Sequence, residues 1–301
     1  DLKKKCDSPS RRNLFIMSAV PLIFIIVFYL IPILGNVIAF KDYKLGRGMI
    51  KSDWAGFSNI RFILESRDFL NVLKNTVFYN TVFTVLGIVA ALAAAVMVYN
   101  LKSGRMKKIY QAALIIPYLI SWVFAGEILN LIIGENGAVN HLLALFSKEP
   151  VMFYAKPGVW PWIMVIFYLW KNTGFSALVF YCALCGMKKE LFEAARVDGA
   201  SEKRVFFSIM LPSIMPAVII LIILNAGNIL ASDCDMFLQL TRENGILLNI
   251  TDVLDTYIIR NIAGSNMSIS SAAGLIRSAA GCIGVAAVYL IFGKKSLGEY
   301  L

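Results

Sequence analysis

The sequence predicts an all-α fold: a polytopic membrane protein with six transmembrane helices. Two observations predict it. Of 301 residues, 58% are hydrophobic and only 16% are charged, against roughly 25% charged in a soluble domain. The apolar residues also gather into six runs, each long enough to cross roughly 30 Å of hydrocarbon as a helix. A helix closes its own backbone hydrogen bonds, as a lipid-embedded segment must.

Residues 1–13 are polar and basic, with Lys3, Lys4, Lys5, Arg11 and Arg12. They are expected to form a cytoplasmic segment ahead of a transmembrane domain at 14–292. The first apolar run is too long for a cleavable leader and lacks a small-residue cleavage site. The first span is expected at 14–40, with Pro21 and Pro32 as kink sites. A polar loop covers 41–74. The second span, at 75–99, carries a small-residue stretch, Ala90 to Ala95, that lets helices approach closely. A short basic loop follows, with Lys102, Arg105, Lys107 and Lys108. The third span is expected at 109–133 with Pro117 inside it. Gly137, Pro150 and Pro157 then mark a loop at 134–158. The fourth span is expected at 159–184 and the fifth at 213–232, separated by a charged loop at 185–212. A mostly acidic loop covers 233–267. The sixth span is expected at 270–292, with Gly274, Gly281 and Gly284 available for tight packing, and 293–301 forms a cytoplasmic tail.

Charge orients the chain. The termini, 100–108 and 185–212 together hold 16 Lys and Arg against 7 Asp and Glu, whereas the opposite segments hold 11 of each. The positive-inside rule therefore places both termini and the 185–212 loop in the cytoplasm, although 41–74, with seven basic residues, dissents. The net charge of +10 is topogenic and faces lipid headgroups; it requires no nucleic acid. The five cysteines are scattered and make no disulfide framework, and Cys182-Ala-Leu-Cys185 reads as small apolar filler. His141 has no metal-ligating spacing around it and reads as a surface residue. No phosphate-binding G-x-x-x-x-G-K-[ST] loop is present, so ATP chemistry would have to come from another subunit. No 3+3 internal repeat is visible, which weakens a secondary transporter of the inverted-repeat kind.

The informative stretch is 193–212. Residues 188–197 favour a helix, Asp198-Gly199 interrupts it, Ser201 caps a second helix, and that helix is expected to end before Pro212. Glu193-Ala194-Ala195, then Gly199, then Ile209-x-Leu211-Pro212 resembles the EAA loop of ABC-importer permeases at every motif position and both spacings. Further blocks resemble carbohydrate-importer permeases, most of all the oligosaccharide branch: Trp54-Ala55-Gly56-Phe57-Ser58-Asn59, Leu73-Lys74-Asn75-Thr76, Pro117-Tyr118-Leu119-Ile120-Ser121-Trp122, Trp170-Lys171-Asn172-Thr173-Gly174 and Asp252-Val253-Leu254-Asp255-Thr256-Tyr257. The resemblance implies a type I ABC-importer permease fold in a bacterial cell membrane. It implies a second homologous permease (a heterodimer in this family), an ATP-binding cassette ATPase dimer that binds the ATP, and an extracellular solute-binding protein that delivers carbohydrate. Glu193, Ala194, Ala195, Asp198, Gly199, Ile209, Leu211 and Pro212 would then couple to the ATPase, with Glu193 the anchoring acid, Gly199 the turn and Pro212 the junction to the fifth span. No cofactor of the chain's own is implied.

Polar and aromatic groups inside the spans are the candidates for touching cargo, since they are costly there. They are Tyr118, Ser121, Trp122, Glu127 and Asn130 in the third span, Tyr168, Trp170, Lys171, Asn172 and Thr173 in the fourth, Asn225 and Asn228 in the fifth with Asp233 at its outer end, and Arg277 in the sixth. Each has a plainer alternative. Glu127 and Lys171 have opposite charges and can pair with each other. Asn225 and Asn228 share a face and can bond to neighbouring helices. The tryptophans can belong to an interface belt. Trp, Tyr and Asn suit sugars, which combine hydroxyls with apolar ring faces. Peptides, amino acids or phosphate remain alternative cargoes, and a stand-alone channel or membrane enzyme is the alternative from another class.

Overall fold

The computed structural model describes residues 8–187, 195 and 197–290. They divide into two compact units, one of the described residues within 8–66 and 258–276 and one of those within 67–257 and 277–290. The helices are α1 (Ser8–Ile25), α2 (Ser58–Glu65), α3 (Arg67–Asn100), α4 (Gly104–Leu119), α5 (Trp122–Ile133), α6 (Ala138–Leu145), α7 (Trp160–Cys185), α8 (Glu202–Val205), α9 (Leu211–Gly227), α10 (Cys234–Thr241), α11 (Leu254–Ala263) and α12 (Met267–Val288). Among the described residues, six helical runs are long and apolar enough to span a membrane.

In the first unit the opening span runs from Phe15 to Phe40 and exposes its apolar side chains along most of its length. Its end carries a small cap. Strands β1 (Lys41–Asp42) and β2 (Asp53–Trp54) pair antiparallel, Lys41 opposite Trp54. The Asn59 side-chain amide donates to the carbonyls of Ala39 (2.9 Å) and Lys41 (3.0 Å). Phe40 stacks on Trp54 at 6.0 Å and meets Phe57 edge-on. The expected polar loop at 41–74 is therefore ordered.

In the second unit α3 begins at Arg67 rather than at 75. Asp68 in its first turn complements the helix dipole, so the helix extends beyond its apolar stretch. Ala91 and Ala95 of α3 are buried against Ala177, Phe180 and Leu184 of α7 and Met210 and Ile214 of the 202–227 run. The small-residue stretch thus does what its composition suggests. A second core gathers Tyr79 and Phe83 of α3, Trp122, Ala125 and Leu129 of α5, Trp160 and Met164 of α7, and Met236, Phe237 and Leu240 of α10.

Three expectations change. The third span is not one helix. Ile120 and Ser121 are extended, with ψ of 134° and 155°. The Ser121 hydroxyl accepts the Phe124 N–H and starts α5 afresh. The apolar run is therefore Trp122–Leu145, displaced from the expected 109–133. A serine able to cap, four residues after a proline, competes successfully with the continuous helix.

The helix before Pro212 does not end there. The backbone keeps helical angles through 206–210, where Leu211 N–H reaches back to Phe206 carbonyl in a π-turn. That shift of the ladder absorbs the donor Pro212 lacks. Pro32 stands in the same relation to a π-turn at Ile26–Leu30.

The fifth run stops at Gly227, short of 232. Its end is where α12 crosses: a Cβ on Gly281 would lie 2.6 Å from the Gly227 carbonyl, and one on Gly284 2.4 Å from that of Ala226. Gly274, by contrast, has open space around it.

Candidate functional site

A polar cavity of about 350 Å³ lies in the second unit, lined from α3, α7, the end of α9 and the turn that follows it. Its floor is an aromatic pair, with Tyr168 stacked on Phe83 at 4.0 Å and nearly parallel. Asn172 lines it from one helical turn further along α7, its amide donating to the Tyr168 carbonyl. Asn225 lines it from the end of the fifth run and Asn228 from the residue just past it, the Asn228 amide donating to the Leu224 carbonyl. Each amide keeps an oxygen and a second N–H beyond that intrahelical bond.

The turn at 228–233 has no regular ladder, so side chains hold it. The Asn80 amide donates to the carbonyls of Ile229 (2.8 Å) and Ala231 (3.3 Å) and to the Ser232 hydroxyl (3.3 Å). Asp255 accepts the Ser232 N–H at 2.6 Å with one oxygen and pairs with Arg277 at 2.7 Å with the other. Burial pushes the Asp255 carboxyl above the usual carboxylate range, opposed by the Ser232 bond and by Arg277. Asp233 accepts the Trp122 indole N–H and, with its other oxygen, the Met236 N–H that caps α10.

Lys171 stands behind this wall. Its ammonium donates to the carbonyls of Tyr118 (2.8 Å) and Ile120, and lies 5.6 Å from the Tyr118 ring centroid and 5.2 Å from that of Trp122. The lysine therefore pins the break between α4 and α5. Glu127 is not its partner; it meets Arg242 at 3.7 Å. Tyr118 stacks on Phe175, and Trp170 packs edge-on against Phe167 with its ring partly exposed. Of the expected path residues, Tyr168, Asn172, Asn225 and Asn228 thus share one cavity, and Trp122 and Lys171 back it. Asp233, expected at the outer end of the fifth span, and Asn80, absent from the expected set, complete the cavity.

In the charged loop, Glu193 and Ala194 lie outside the described residues. Ala195 carbonyl accepts the Ala200 N–H at 2.9 Å, closing a turn in which Gly199 has φ of +71°. The Ser201 hydroxyl caps α8 through the Arg204 N–H. Asp198 is exposed and, with Ala195, Ala200 and Arg204, borders a hollow of about 210 Å³ that Ile209 also lines. Leu211 and Pro212 continue directly into α9. Among the described residues, no three His, Cys, Asp or Glu side chains gather as a metal site. His141 is exposed on α6, and Cys182 and Cys185 are free thiols.

Six apolar runs define a multi-pass membrane protein, and its second unit carries a polar cavity walled by asparagines. The chain belongs to the family described as "Binding-protein-dependent transport system inner membrane component", whose model matches residues 84–297. It is 29% identical over 288 residues to protein LplB of Bacillus subtilis, covering 95% of this chain and 88% of that one. It is 26% identical over 276 residues to the polygalacturonan/rhamnogalacturonan transport system permease protein YteP of the same organism, covering 91% and 85%. Its fold matches a chain of a bacterial ABC transporter involved in the import of the acidic polysaccharide alginate, with a TM-score of 0.87 at 24% identity, covering 96% of this chain and 97% of that one.

Proposed function

We propose that this chain is the permease subunit of an ATP-driven importer for sugars, most of all oligosaccharides, and that it forms half of the translocation path. The observation that carries the reading is the cavity. Its asparagine amides offer donors and acceptors to hydroxyls, and its stacked Tyr168–Phe83 pair offers a face to a sugar ring. The transport of a polysaccharide by a relative that aligns over most of this chain supports the same class of cargo.

A second, homologous permease completes the path as a heterodimer, an extracellular solute-binding protein delivers the sugar, and an ATP-binding cassette ATPase dimer binds the ATP. Residues 193–212 face the cytoplasm and dock on that ATPase, with Glu193 as the anchoring charge, Ala194 and Ala195 allowing close approach, and Asp198, Gly199, Ile209, Leu211 and Pro212 shaping the hairpin and its junction. Residues 1–13 and 293–301 lie on the same side, flanking the membrane domain at 14–292.

The test is Glu193→Lys. The variant chain is expected to reach the membrane at the normal level, to lose copurification with the ATPase, and to abolish ATP-driven uptake in proteoliposomes. Normal ATP-driven uptake by the variant refutes the docking role.

A further inference from the structure

The geometry points to a charge filter: Asp233 makes the cavity selective for neutral oligosaccharides over those that carry carboxylates. This deepens, and rests on, the reading of the cavity as the sugar path.

Among the described residues that line the cavity, Asp233 is the charged one; the other polar groups are amides and hydroxyls. Its carboxylate is held at the wall, because Trp122 and the Met236 N–H fix its two oxygens. The cations nearby stand outside the lining. Lys171 is only 8% exposed, is bonded to two backbone carbonyls and stands behind the Trp122 ring. Arg277 is paired with Asp255. Next in sequence, the Cys234 thiol is pushed up to about 12 by burial first and then by nearby carboxylates, Asp233 among them.

A sugar hydroxyl meeting Asp233 donates a charge-assisted hydrogen bond. A uronate carboxylate meets a like charge with no lining cation to offset it. At roughly 6 Å and an effective dielectric of about 20, that repulsion weakens binding about a hundredfold, and water in the cavity together with the Lys171 ammonium behind the Trp122 ring reduces it toward tenfold.

The test is direct binding of matched tetrasaccharides to the complete transporter in nanodiscs, without its soluble binding protein, so that only the membrane path selects. Two pairs serve as probes: galactotetraose against tetragalacturonate, and mannotetraose against tetramannuronate. Binding is followed by isothermal titration. The wild-type transporter is expected to bind at least one neutral member about tenfold or more tighter than its acidic counterpart. Asp233→Asn removes the charge and keeps one acceptor oxygen for the Met236 N–H that caps α10, giving up the bond to the Trp122 indole, and is expected to close that gap. A gap unchanged in Asp233→Asn, or an acidic member bound tighter by the wild type, overturns the filter but leaves the sugar path standing. Binding of neither member of either pair overturns the sugar path and the filter with it.

Discussion

Lys171 lies midway along α7, where an isolated ammonium is costly. Its position repays that cost, since the break after α4 exposes carbonyls that no helical N–H reaches and the ammonium takes two of them, at Tyr118 and Ile120. Replacing it with methionine keeps the volume but orphans both acceptors, at about 1–3 kcal/mol each. Lys171→Met is therefore expected to lower the thermal unfolding midpoint of the purified transporter by several degrees. An unchanged midpoint would show that the break holds without the lysine. At this scale the sequence was partly readable. Polar residues in apolar runs pointed to Tyr168, Asn172, Asn225 and Asn228, because solvation alone makes them conspicuous. The role of Asn80 was not readable, since it depends on carbonyls about 150 positions away. Nor did charge reveal that Glu127 meets Arg242, because opposite signs in neighbouring spans say nothing of reach.

Elements in the second unit meet where glycines let backbones touch. A Cβ on Gly174 of α7 would stand 1.7 Å from the Leu114 carbonyl of α4, and one on Gly126 of α5 2.7 Å from the Gln239 carbonyl of α10. In neither case is the obstacle a side chain that can swing aside. Gly174→Val is expected to prevent accumulation of folded chain in the membrane, whereas Gly274→Ala, with open space around it, should be tolerated. Quantifying both by detergent-soluble yield and size-exclusion profile checks the contrast; equal yields would mean that α4 and α7 can part without cost. Helix ends were the least readable feature. Hydropathy carries no signal for the break at Ile120–Ser121, where apolar residues continue on both sides, and the proline rule misplaces the boundary at Pro212 because a π-turn repairs the ladder.

For the whole molecule, the six spans were legible because apolar length is set by bilayer thickness and needs no tertiary knowledge. The division into two units was not, since the later segment of the first unit, 258–276, is joined to the rest by contacts distant in sequence, such as the Ser268 hydroxyl bonding the Lys41 carbonyl and the Tyr43 N–H. Orientation rests on charge alone and is open to a direct check. With Cys6, Cys182, Cys185, Cys234 and Cys282 replaced, a single cysteine at Lys102 is expected to resist a membrane-impermeant thiol reagent in intact cells, while one at Glu135 reacts. The reverse pattern would invert the topology and remove the charged loop from the side where ATP is available.

The π-turn at 206–210 has a mechanical meaning. Because it repairs the helix instead of ending it, Glu202–Gly227 is one rod of 26 residues, about 39 Å at 1.5 Å per residue. One end abuts the Gly199 hairpin and the other carries Asn225 into the cavity. On the docking proposed above, a displacement imposed at the hairpin travels to the asparagines along a helix interrupted only by the π-turn and Pro216, as a crankshaft delivers torque, so the stiffness of this rod, rather than any chemistry along it, would set how much of each stroke reaches them.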